Sequence, residues 1–599
     1  MQSRPQLRRQ PLAHGLPFYR EVTRFVARSI IKGECCGTRT PAPSQPRGES
    51  GTLSDQGLRL AKPRDVAAYV TESRLTIQKA FAALPIFQRT REHALYHYCA
   101  VLEVEAYKAE ASPEKHFSAG RAAVESGIRA IPALFERCGS GQTDPRIDQV
   151  LFSEAHELFA FAKAYEQVEY SLTLADKGQF EIHVAKLDPR ITLTYAAEAS
   201  DLTDTFRRSG EILERSGLSQ PSVGAEEGLA TIVEVRSCLD GCIRFTPPDR
   251  ITYEYNADLS DLVARWARFL ESAVRWELSP DIMLGAISIA ELRRFWGAVL
   301  AVSNTHDLAH LTASAGDCNK WPIGSRVDLR PREEWIRVLS AVSGVSAEST
   351  ATALGWLTFD PRISAKTPML QPFLEILPDR LCAPSLFLTT NNFERNFLRL
   401  LNRHPALLQY ANAVNTSKEP LALAEISARF PSPAYRTKPQ VRIPTTDADL
   451  VIYEAVTGWV MVVQHKWLIG PDTANESATN DDELSKGVKQ GVLVREYWRA
   501  EPGHLRNALS LPTDAPITNI EACVVCRGAD ATGFLSVPAI PVITETAFVS
   551  VLNRGGGLPS LWKLLNERPD LAEAAGQFKD VSYAVPLAGY EFVLPGLAM

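Results

Sequence analysis

One short segment, residues 447 to 467, constrains the fold of this 599-residue chain more than any other. It begins Asp-Ala-Asp449, continues into the apolar run Leu-Val-Ile-Tyr, and after a polar turn enters a second apolar run that ends Gln464-His-Lys466-Trp. Two apolar runs joined by a turn predict a β-hairpin. Because side chains alternate faces along a strand, Gln464 and Lys466 share one face, and antiparallel pairing sets Asp449 opposite Gln464.

This predicted hairpin brings together the ligands that a small divalent cation prefers. Mg²⁺ binds oxygen atoms from one or two protein groups and keeps positions for water and substrate phosphate. Asp449 and the side-chain oxygen of Gln464 can supply two ligands, and the backbone carbonyl of His465 a third. Lys466 would lie beside the cation, where an ammonium orients water or offsets charge on a phosphoryl group. The residues therefore predict phosphodiester hydrolysis with Mg²⁺ or Mn²⁺.

The same residues resemble a known family. An aspartate, roughly fifteen residues and then Gln-x-Lys at the end of an apolar strand is similar to the PD-(D/E)XK, restriction-endonuclease-like nuclease superfamily, and within it to Mrr-like members in which Gln replaces Glu. The resemblance covers residues 391 to 599. It implies that Asp449 binds metal, that Gln464 occupies the second ligand position, and that Lys466 is the catalytic lysine.

The resemblance also implies supporting residues on two helices. The helix after the lysine strand, predicted to begin near Asp481, carries Gln490, and its acidic start and basic body fit the helix dipole. In the resembled family the first helix of the core often contributes a glutamate. Glu425 is our candidate for that glutamate, and Glu394 is the rival.

Three regions are predicted along the chain. Residues 1–55 form a flexible tail and linker, rich in proline, glycine and serine toward its end. Residues 56–390 form a mainly helical region of unknown role, and residues 391–599 form the nuclease-like domain. The predicted fold class is therefore an α/β restriction-endonuclease-like core at the C-terminus, preceded by a large, mainly α-helical region.

The clearest helix of the N-terminal region is predicted from Asn256 to Trp276, with Asp258 or Ser260 as its cap. Its apolar residues recur at helical spacing. At the other end of the chain, the segments that begin at Tyr583 and Tyr590 predict a terminal pair of strands.

Charge and composition narrow the expected partners. The net charge is −6 and the isoelectric point is about 6.1, so nucleic acid must be bound by a local basic surface rather than by the molecule as a whole. The candidate residues for that surface are Lys466, Lys486, Lys489, Arg495 and Arg499. No apolar run approaches the roughly 18 residues that span a bilayer, so no membrane partner is expected.

The ten cysteines contain no paired CxxC array, which favours a reducing, cytoplasmic setting. Cys523 and Cys526 lie three apart in a predicted strand, so their thiols should point to opposite faces of the sheet. The expected partner is nucleic acid, with DNA as the expected form, and a homodimer is left open.

Two other functions remain open at the level of sequence. The first is a non-catalytic nucleic-acid-binding or scaffold protein with a degenerate nuclease fold, in which the hairpin is only structural. The second is a zinc hydrolase that uses the histidine pairs His93 and His97 or His306 and His310, because a spacing of four can place two imidazoles on one ion.

Overall fold

The computed structural model describes residues 63–111, 127–176, 178, 180–184, 189–195, 225–246, 250–273, 278–313, 326–364, 368–385, 388, 393–469, 474–527, 539–553, 556–567 and 579–598. The predicted tail, residues 1–55, lies outside these ranges. From residue 63 to residue 401 the described chain is mainly helical, as predicted, and its strands are short. Beyond residue 408, helices alternate with longer strands.

The helices of the first part are α1 (Pro63–Ala82), α2 (Arg91–Ala111), α3 (Ile131–Arg137), α4 (Gln149–Asp176), α5 (Ala225–Leu239), α6 (Ala257–Ala273), α7 (Ile289–Ala313), α8 (Arg332–Ser343), α9 (Ala347–Trp356), α10 (Pro361–Ser364) and α11 (Phe393–Leu401). Its strands are β1 (Phe180–Val184), β2 (Arg190–Tyr195), β3 (Arg244–Thr246), β4 (Arg250–Thr252), β5 (Met283–Leu284), β6 (Ile287–Ser288), β7 (Leu329–Pro331), β8 (Leu374–Leu377) and β9 (Arg380–Cys382). Two 3₁₀ helices cover Pro85–Gln88 and Pro368–Leu370.

The helical part is built around two apolar cores. One is formed mainly by α2, α3 and α4, and it buries Tyr98 and Leu158. The other joins α5 through α9 to α11, and at its centre the rings of Trp296 and Phe393 stack with their centroids 4.0 Å apart. Close packing of large rings of this kind fixes helices in one arrangement.

Helix α6 illustrates how sequence directs this packing. Leu259, Val263 and Leu270 are buried along one side of the helix, as their helical spacing predicts. The predicted cap, Asp258 or Ser260, was wrong, because the Oδ1 atom of Asn256 accepts the N–H of Leu259 at 2.8 Å. Asparagine lies just before the first helical turn, which is the usual capping position.

The remaining elements are α12 (Leu408–Ser427), β10 (Tyr435–Arg442), β11 (Asp447–Glu454), β12 (Trp459–Trp467), α13 (Ala474–Ala500), α14 (Pro502–Ala508), β13 (Asn519–Arg527), β14 (Val542–Thr544), α15 (Glu545–Asn553), α16 (Gly557–Glu567), β15 (Lys579–Leu587) and β16 (Tyr590–Ala598). The predicted hairpin is confirmed as β11 and β12. Helix α13 begins at residue 474, seven residues before the predicted start at Asp481.

Five strands form the sheet that carries the hairpin, in the order β10-β11-β12-β13-β14. Strands β10, β11 and β12 are antiparallel neighbours, whereas β12, β13 and β14 run parallel. A parallel neighbour requires a crossover connection, and α13 lies in the segment that links β12 to β13. The hairpin turns at Ala455 to Gly458, as predicted, and Gly458 takes a φ of 71°, which favours glycine.

Both faces of this sheet are buried. On one face, side chains such as Val451, Val462 and Val524 pack with Leu484 and Trp498 of α13. On the other face, the intervening residues of the same strands pack on α12, α15 and α16. Cys523 and Cys526 fall in these two separate cores, so the prediction that their thiols point to opposite faces is confirmed.

The last hairpin belongs to a different sheet. Strands β15 and β16 pair with each other as predicted, and β16 also pairs in parallel with β2, giving the order β1-β2-β16-β15. This sheet shares a core with α1 and α4, in which Val168, Ile191 and Phe592 are buried. The final twenty described residues therefore pack with strands from the first half of the chain.

None of the helices among the described residues is both long enough and apolar enough to cross a membrane.

Candidate functional site

The candidate site lies where β11 begins and β12 ends. Leu450 pairs with Val463, so Asp449 and Gln464 occupy the next opposed position of the hairpin, as the sequence predicts. The register also places Gln464 and Lys466 on the face that α13 covers, while His465 points to the other face, 3.9 Å from Glu545. Four of the predicted residues, Asp449, Gln464, Lys466 and Gln490, meet at this end of the sheet.

Asp449 is held by the backbone of the neighbouring strand. The N–H of His465 donates to its Oδ2 atom at 2.7 Å, and only 8% of the residue is exposed. Burial raises the pKa of the Asp449 carboxyl to about 6. The His465 N–H opposes this rise, the nearby charge of Glu419 adds to it, and Lys466 opposes it again. A bound cation would favour the ionised carboxylate, since it places positive charge where burial now disfavours negative charge.

Gln464 presents an oxygen that makes no hydrogen bond within the described structure. Its Nε2 atom donates to the carbonyl oxygen of Asp447 at 2.8 Å, which fixes the orientation of the amide. The Oε1 atom is fully buried and has no partner. Since a buried polar atom without a partner costs free energy, this oxygen is suited to accept a ligand such as a cation.

Lys466 is oriented by the helix that crosses behind the hairpin. Its Nζ atom donates to Oε1 of Gln490 at 3.0 Å, and Nε2 of Gln490 lies 3.4 Å from Oγ1 of Thr446. Lys466, Gln490 and Thr446 are all half-buried, so they line the open side of the site. The ammonium is therefore held in position beside Asp449 while one side of it still faces solvent.

Two glycines of α13 allow this close approach. A Cβ atom at Gly487 would lie 3.0 Å from Cε of Lys466, and one at Gly491 would lie 2.6 Å from Cδ1 of Ile540 and 3.5 Å from Cγ of Gln464. Positions four apart share a helix face, so the two glycines form a flat strip against β12. That strip brings Gln490 within hydrogen-bonding distance of Lys466.

The two glutamates considered from the sequence are not at the site. Glu425 forms an ion pair with Arg527 at 2.7 Å, and Arg527 also binds Glu545 at 2.9 Å on the opposite face of the sheet. Glu394 accepts the N–H of Leu278 at 2.7 Å within the helical part. The glutamate of α12 whose charge reaches Asp449 is Glu419, which sequence reasoning did not single out.

Most of the basic residues predicted to bind phosphate are instead paired with acids. Lys486 binds Glu483 at 2.5 Å, and Arg499 binds Glu521 at 2.9 Å. Arg495 lies 3.0 Å from Glu496 and 3.7 Å from Glu521. Of the predicted basic set, Lys466 faces the site, and Lys489 is exposed on α13.

The donor set fits a hard divalent cation better than zinc. Across the described ranges, no group of three histidine, cysteine, aspartate or glutamate side chains is placed to hold a metal ion. What converges is one buried carboxylate, one unpartnered amide oxygen and the more distant charge of Glu419. Oxygen ligands of this kind, few in number, are typical of Mg²⁺ sites completed by water and substrate phosphate.

Neither histidine pair of the zinc alternative belongs to a metal-binding group within the described part of the chain. Nδ1 of His97 lies 2.6 Å from the carbonyl oxygen of His93, and its Nε2 accepts the N–H of Asp148 at 2.9 Å, so both ring nitrogens already have backbone partners. Burial holds the pKa of His310 well below its usual value, and Arg326 and His306 lower it further. Neither pair gains a third ligand among the residues that the structure describes.

A second buried acid lies on α13, beyond the site. Asp481 is 8% exposed, and neither of its carboxylate oxygens has a hydrogen-bond partner in the described structure. It lies on the face of α13 that also carries Leu484, and the neighbouring Asn480 binds the carbonyl oxygen of Ile469 at 3.1 Å. Burial raises the pKa of Asp481 to about 8, and the charge of Asp482 adds to the rise.

We expect Asp481→Asn to stabilise the protein at alkaline pH. Because the folded protein holds this proton more tightly than the unfolded chain, the wild type should lose stability as the pH rises from about 4 to about 8. Urea unfolding should show a gain on the order of 2–4 kcal/mol for Asp481→Asn at pH 8.5 and little gain at pH 4.5. Asp482→Asn, at the exposed neighbouring position, is the control, and equal gains in the two variants would contradict the assignment to Asp481.

Comparison with protein-family models, with curated proteins and with solved structures finds no match for this chain.

Proposed function

We propose that this protein is a metal-dependent nuclease that hydrolyses phosphodiester bonds of nucleic acid, with DNA as the expected substrate, and that Mg²⁺ or Mn²⁺ is its cofactor. One observation carries the proposal. Gln464, whose Oε1 is buried and unpartnered, and Asp449 directly follow the last pair of the hairpin register, and Lys466 lies two residues further along β12 with its charge acting on Asp449. A cation flanked by an ammonium can stabilise the negative charge that develops during phosphoryl transfer.

The order of the elements gives independent support. Helix α12 is followed by β10, then by the β11–β12 hairpin, then by α13 and by the parallel strand β13. Helix, strand, hairpin, helix and strand is the order expected of the core in the PD-(D/E)XK family that the sequence resembles. The restriction-endonuclease-like fold is part of this proposal.

Each residue has a role that follows from its contacts. Asp449 and Gln464 would hold the cation, which supplies charge stabilisation and lowers the pKa of a bound water. The Asp447 carbonyl keeps the Gln464 oxygen turned toward the site, and the His465 N–H keeps the Asp449 carboxylate in place. Lys466, oriented by Gln490, donates hydrogen bonds to the attacking water or to the phosphate oxygens as negative charge develops.

The first test is metal-dependent cleavage by the full chain. Purified protein should cleave plasmid DNA or labelled oligonucleotides when Mg²⁺ or Mn²⁺ is present, and EDTA should stop the reaction. Ca²⁺, which is larger and takes more oxygen ligands at longer distances, should support binding with little cleavage. Cleavage that continues at full rate in EDTA would contradict the proposal.

A binding protein without cleavage is the second candidate. It is favoured by the replacement of an acid by Gln464 and by the complete burial of that residue, because both reduce the attraction of the site for a cation. Oligonucleotide binding by the wild type with no cleavage under any divalent cation would select this alternative.

A further inference from the structure

Strand β10, at the edge of the sheet that carries the site, bears three exposed cations along its length. Arg436 and Lys438 are two residues apart, and Arg442 follows beyond Gln440, whose φ of 51° interrupts the regular alternation of faces; all three cations are exposed. We call these three residues the β10 strip. Strand residues two apart, such as Arg436 and Lys438, are separated by roughly 6.6–7 Å, a spacing close to that between successive phosphates of an extended nucleic-acid strand, and Arg442 lies about twice that distance beyond Lys438.

The charges of the β10 strip are not neutralised by acids. No carboxylate among the described residues forms an ion pair with Arg436, Lys438 or Arg442, in contrast to Lys486, Arg495 and Arg499 of α13. Instead, Arg436 donates to the carbonyl oxygen of Ser510 at 2.8 Å, and Lys438 donates to that of Ala508 at 2.6 Å. These bonds hold two of the side chains over one surface and leave their full positive charge there.

The pairing register aligns the β10 strip with the site. Arg442 pairs with Asp447, and Lys438 pairs with Val451. Asp449 lies midway between those two partners on β11, so the two cations flank its position on the neighbouring strand. Adjacent strands are about 4.8 Å apart. A nucleic-acid strand bound along β10 would therefore lie next to β11, the strand that carries Asp449.

We propose that the β10 strip binds the phosphate backbone of one nucleic-acid strand and guides it past Asp449 and Lys466. The proposal rests on the proposed function and deepens it, because it assigns the surface along which the substrate lies. Two successive phosphates would contact Arg436 and Lys438, and Arg442 would contact a phosphate two steps beyond the one on Lys438. The contacts are to the backbone, so they carry no sequence preference.

The test is the salt dependence of binding, measured in EDTA so that no cleavage occurs. Fluorescence anisotropy with labelled single-stranded and duplex oligonucleotides, in DNA and RNA forms of one sequence, gives log K against log salt. Arg436→Gln/Lys438→Gln/Arg442→Gln should weaken binding on the order of tenfold or more at low salt, and should make the slope shallower by about 2 for single strands. The effect should be the same for unrelated sequences.

The matched control removes three exposed cations that are paired with acids: Arg265→Gln/Arg362→Gln/Lys563→Gln. This control changes the net charge by the same amount as the strip variant. If affinity depends on where the charges lie, the control should bind nucleic acid within about twofold of the wild type. Arg436→Lys/Lys438→Arg/Arg442→Lys keeps the charge and should retain both affinity and slope. Circular dichroism and thermal unfolding of each variant verify that the fold is intact.

Several results would overturn the proposal that the β10 strip binds nucleic acid. They are equal losses in the strip variant and the control, an unchanged salt slope in the strip variant, or an equal loss in the charge-keeping variant. Failure of the proposed function looks different: binding would depend on the strip, yet no divalent cation would produce cleavage. Conversely, if the wild type cleaves nucleic acid but the strip variant binds it as tightly as the wild type, only the proposed role of the β10 strip would be overturned.

Discussion

Lys466→Ala should reduce the rate of Mg²⁺-dependent cleavage on the order of 10²- to 10⁴-fold while leaving nucleic-acid binding largely intact. The Nζ atom is held by Gln490 at 3.0 Å, and the charge of Lys466 acts on Asp449. An ammonium so positioned acts on charge that develops during the reaction, and removal of one such group costs this much in other enzymes. The loss should therefore appear in kcat rather than in KM.

Lys486→Ala is the matched control, because Lys486 lies on α13 near the site but is exposed and paired with Glu483. It should cleave at the wild-type rate.

Asp449→Asn keeps the size of the side chain and removes the charge that attracts the cation, so its cleavage should recover in part when the Mg²⁺ concentration is raised. Cleavage at the wild-type rate by both Lys466→Ala and Asp449→Asn would remove the residue assignments.

Gln490→Ala should have a smaller effect than Lys466→Ala. Its amide orients the lysine without contacting the opposed pair of Asp449 and Gln464, so we expect a loss on the order of tenfold in kcat, comparable to the loss of one neutral hydrogen bond. A loss as large as that of Lys466→Ala, together with a lower melting temperature, would indicate that Gln490 mainly stabilises the fold.

The hairpin was predictable because its determinants are local. Two apolar runs and a short turn define the register of β11 and β12, and that register alone sets Asp449 opposite Gln464. The helix that carries Gln490 was likewise visible from its charge pattern. Its start was not, because the segment before Asp481 is polar and helix starts in such segments are decided by packing. Arg399 and Glu476, for example, meet at 2.9 Å at the first turn of α13.

The surroundings of the glutamates of α12 could not be read from the sequence for a related reason. Pro420 fits the first turn of a helix, which places Glu425 well inside a helix that starts near residue 419. The helix in fact runs from residue 408 through the proline. Which of its faces meets the site depends on how α12 crosses the sheet, and that crossing is set by long-range packing against β11 and β12. Glu425 therefore binds Arg527, and Glu419 reaches Asp449.

The partner of the last hairpin was also beyond local reasoning. Strands β15 and β16 pair with each other in a way that the sequence predicts, but β16 lies beside β2, about four hundred residues earlier. Nothing in the periodicity of either segment specifies a neighbour so far along the chain. Phe592 and Ile191 are buried side by side only because the whole chain folds back on its first half.

Arg330→Met should destabilise the helical part by about 3–5 kcal/mol, which is the usual effect of leaving one member of a buried ion pair without its partner. Arg330 is 7% exposed in its side chain and binds both oxygens of Asp328, at 2.6 and 2.9 Å. It also donates to the hydroxyl of Tyr253 at 2.8 Å and lies 5.1 Å from the ring centroid of Trp335. Its loss leaves the nearly buried Asp328 charge uncompensated.

The chain contains a matched exposed pair. Arg362 binds Asp360 through the same two nitrogens and with the same separation of two residues, at 3.0 and 2.7 Å, but its side chain is 88% exposed. Exposed pairs contribute about 0–1 kcal/mol, so Arg362→Met should change little. The comparison isolates burial, because the geometry of the two pairs is nearly the same.

Hydrogen exchange of the peptide that covers residues 329–343 measures the effect where it arises. A loss of 3 kcal/mol corresponds to roughly a hundredfold faster exchange through opening. Asp328→Leu combined with Arg330→Met removes both charges and should recover much of the stability, since an apolar pair avoids the desolvation cost. Equal protection in Arg330→Met and Arg362→Met would mean that water reaches Asp328 and that the pair is not buried in solution.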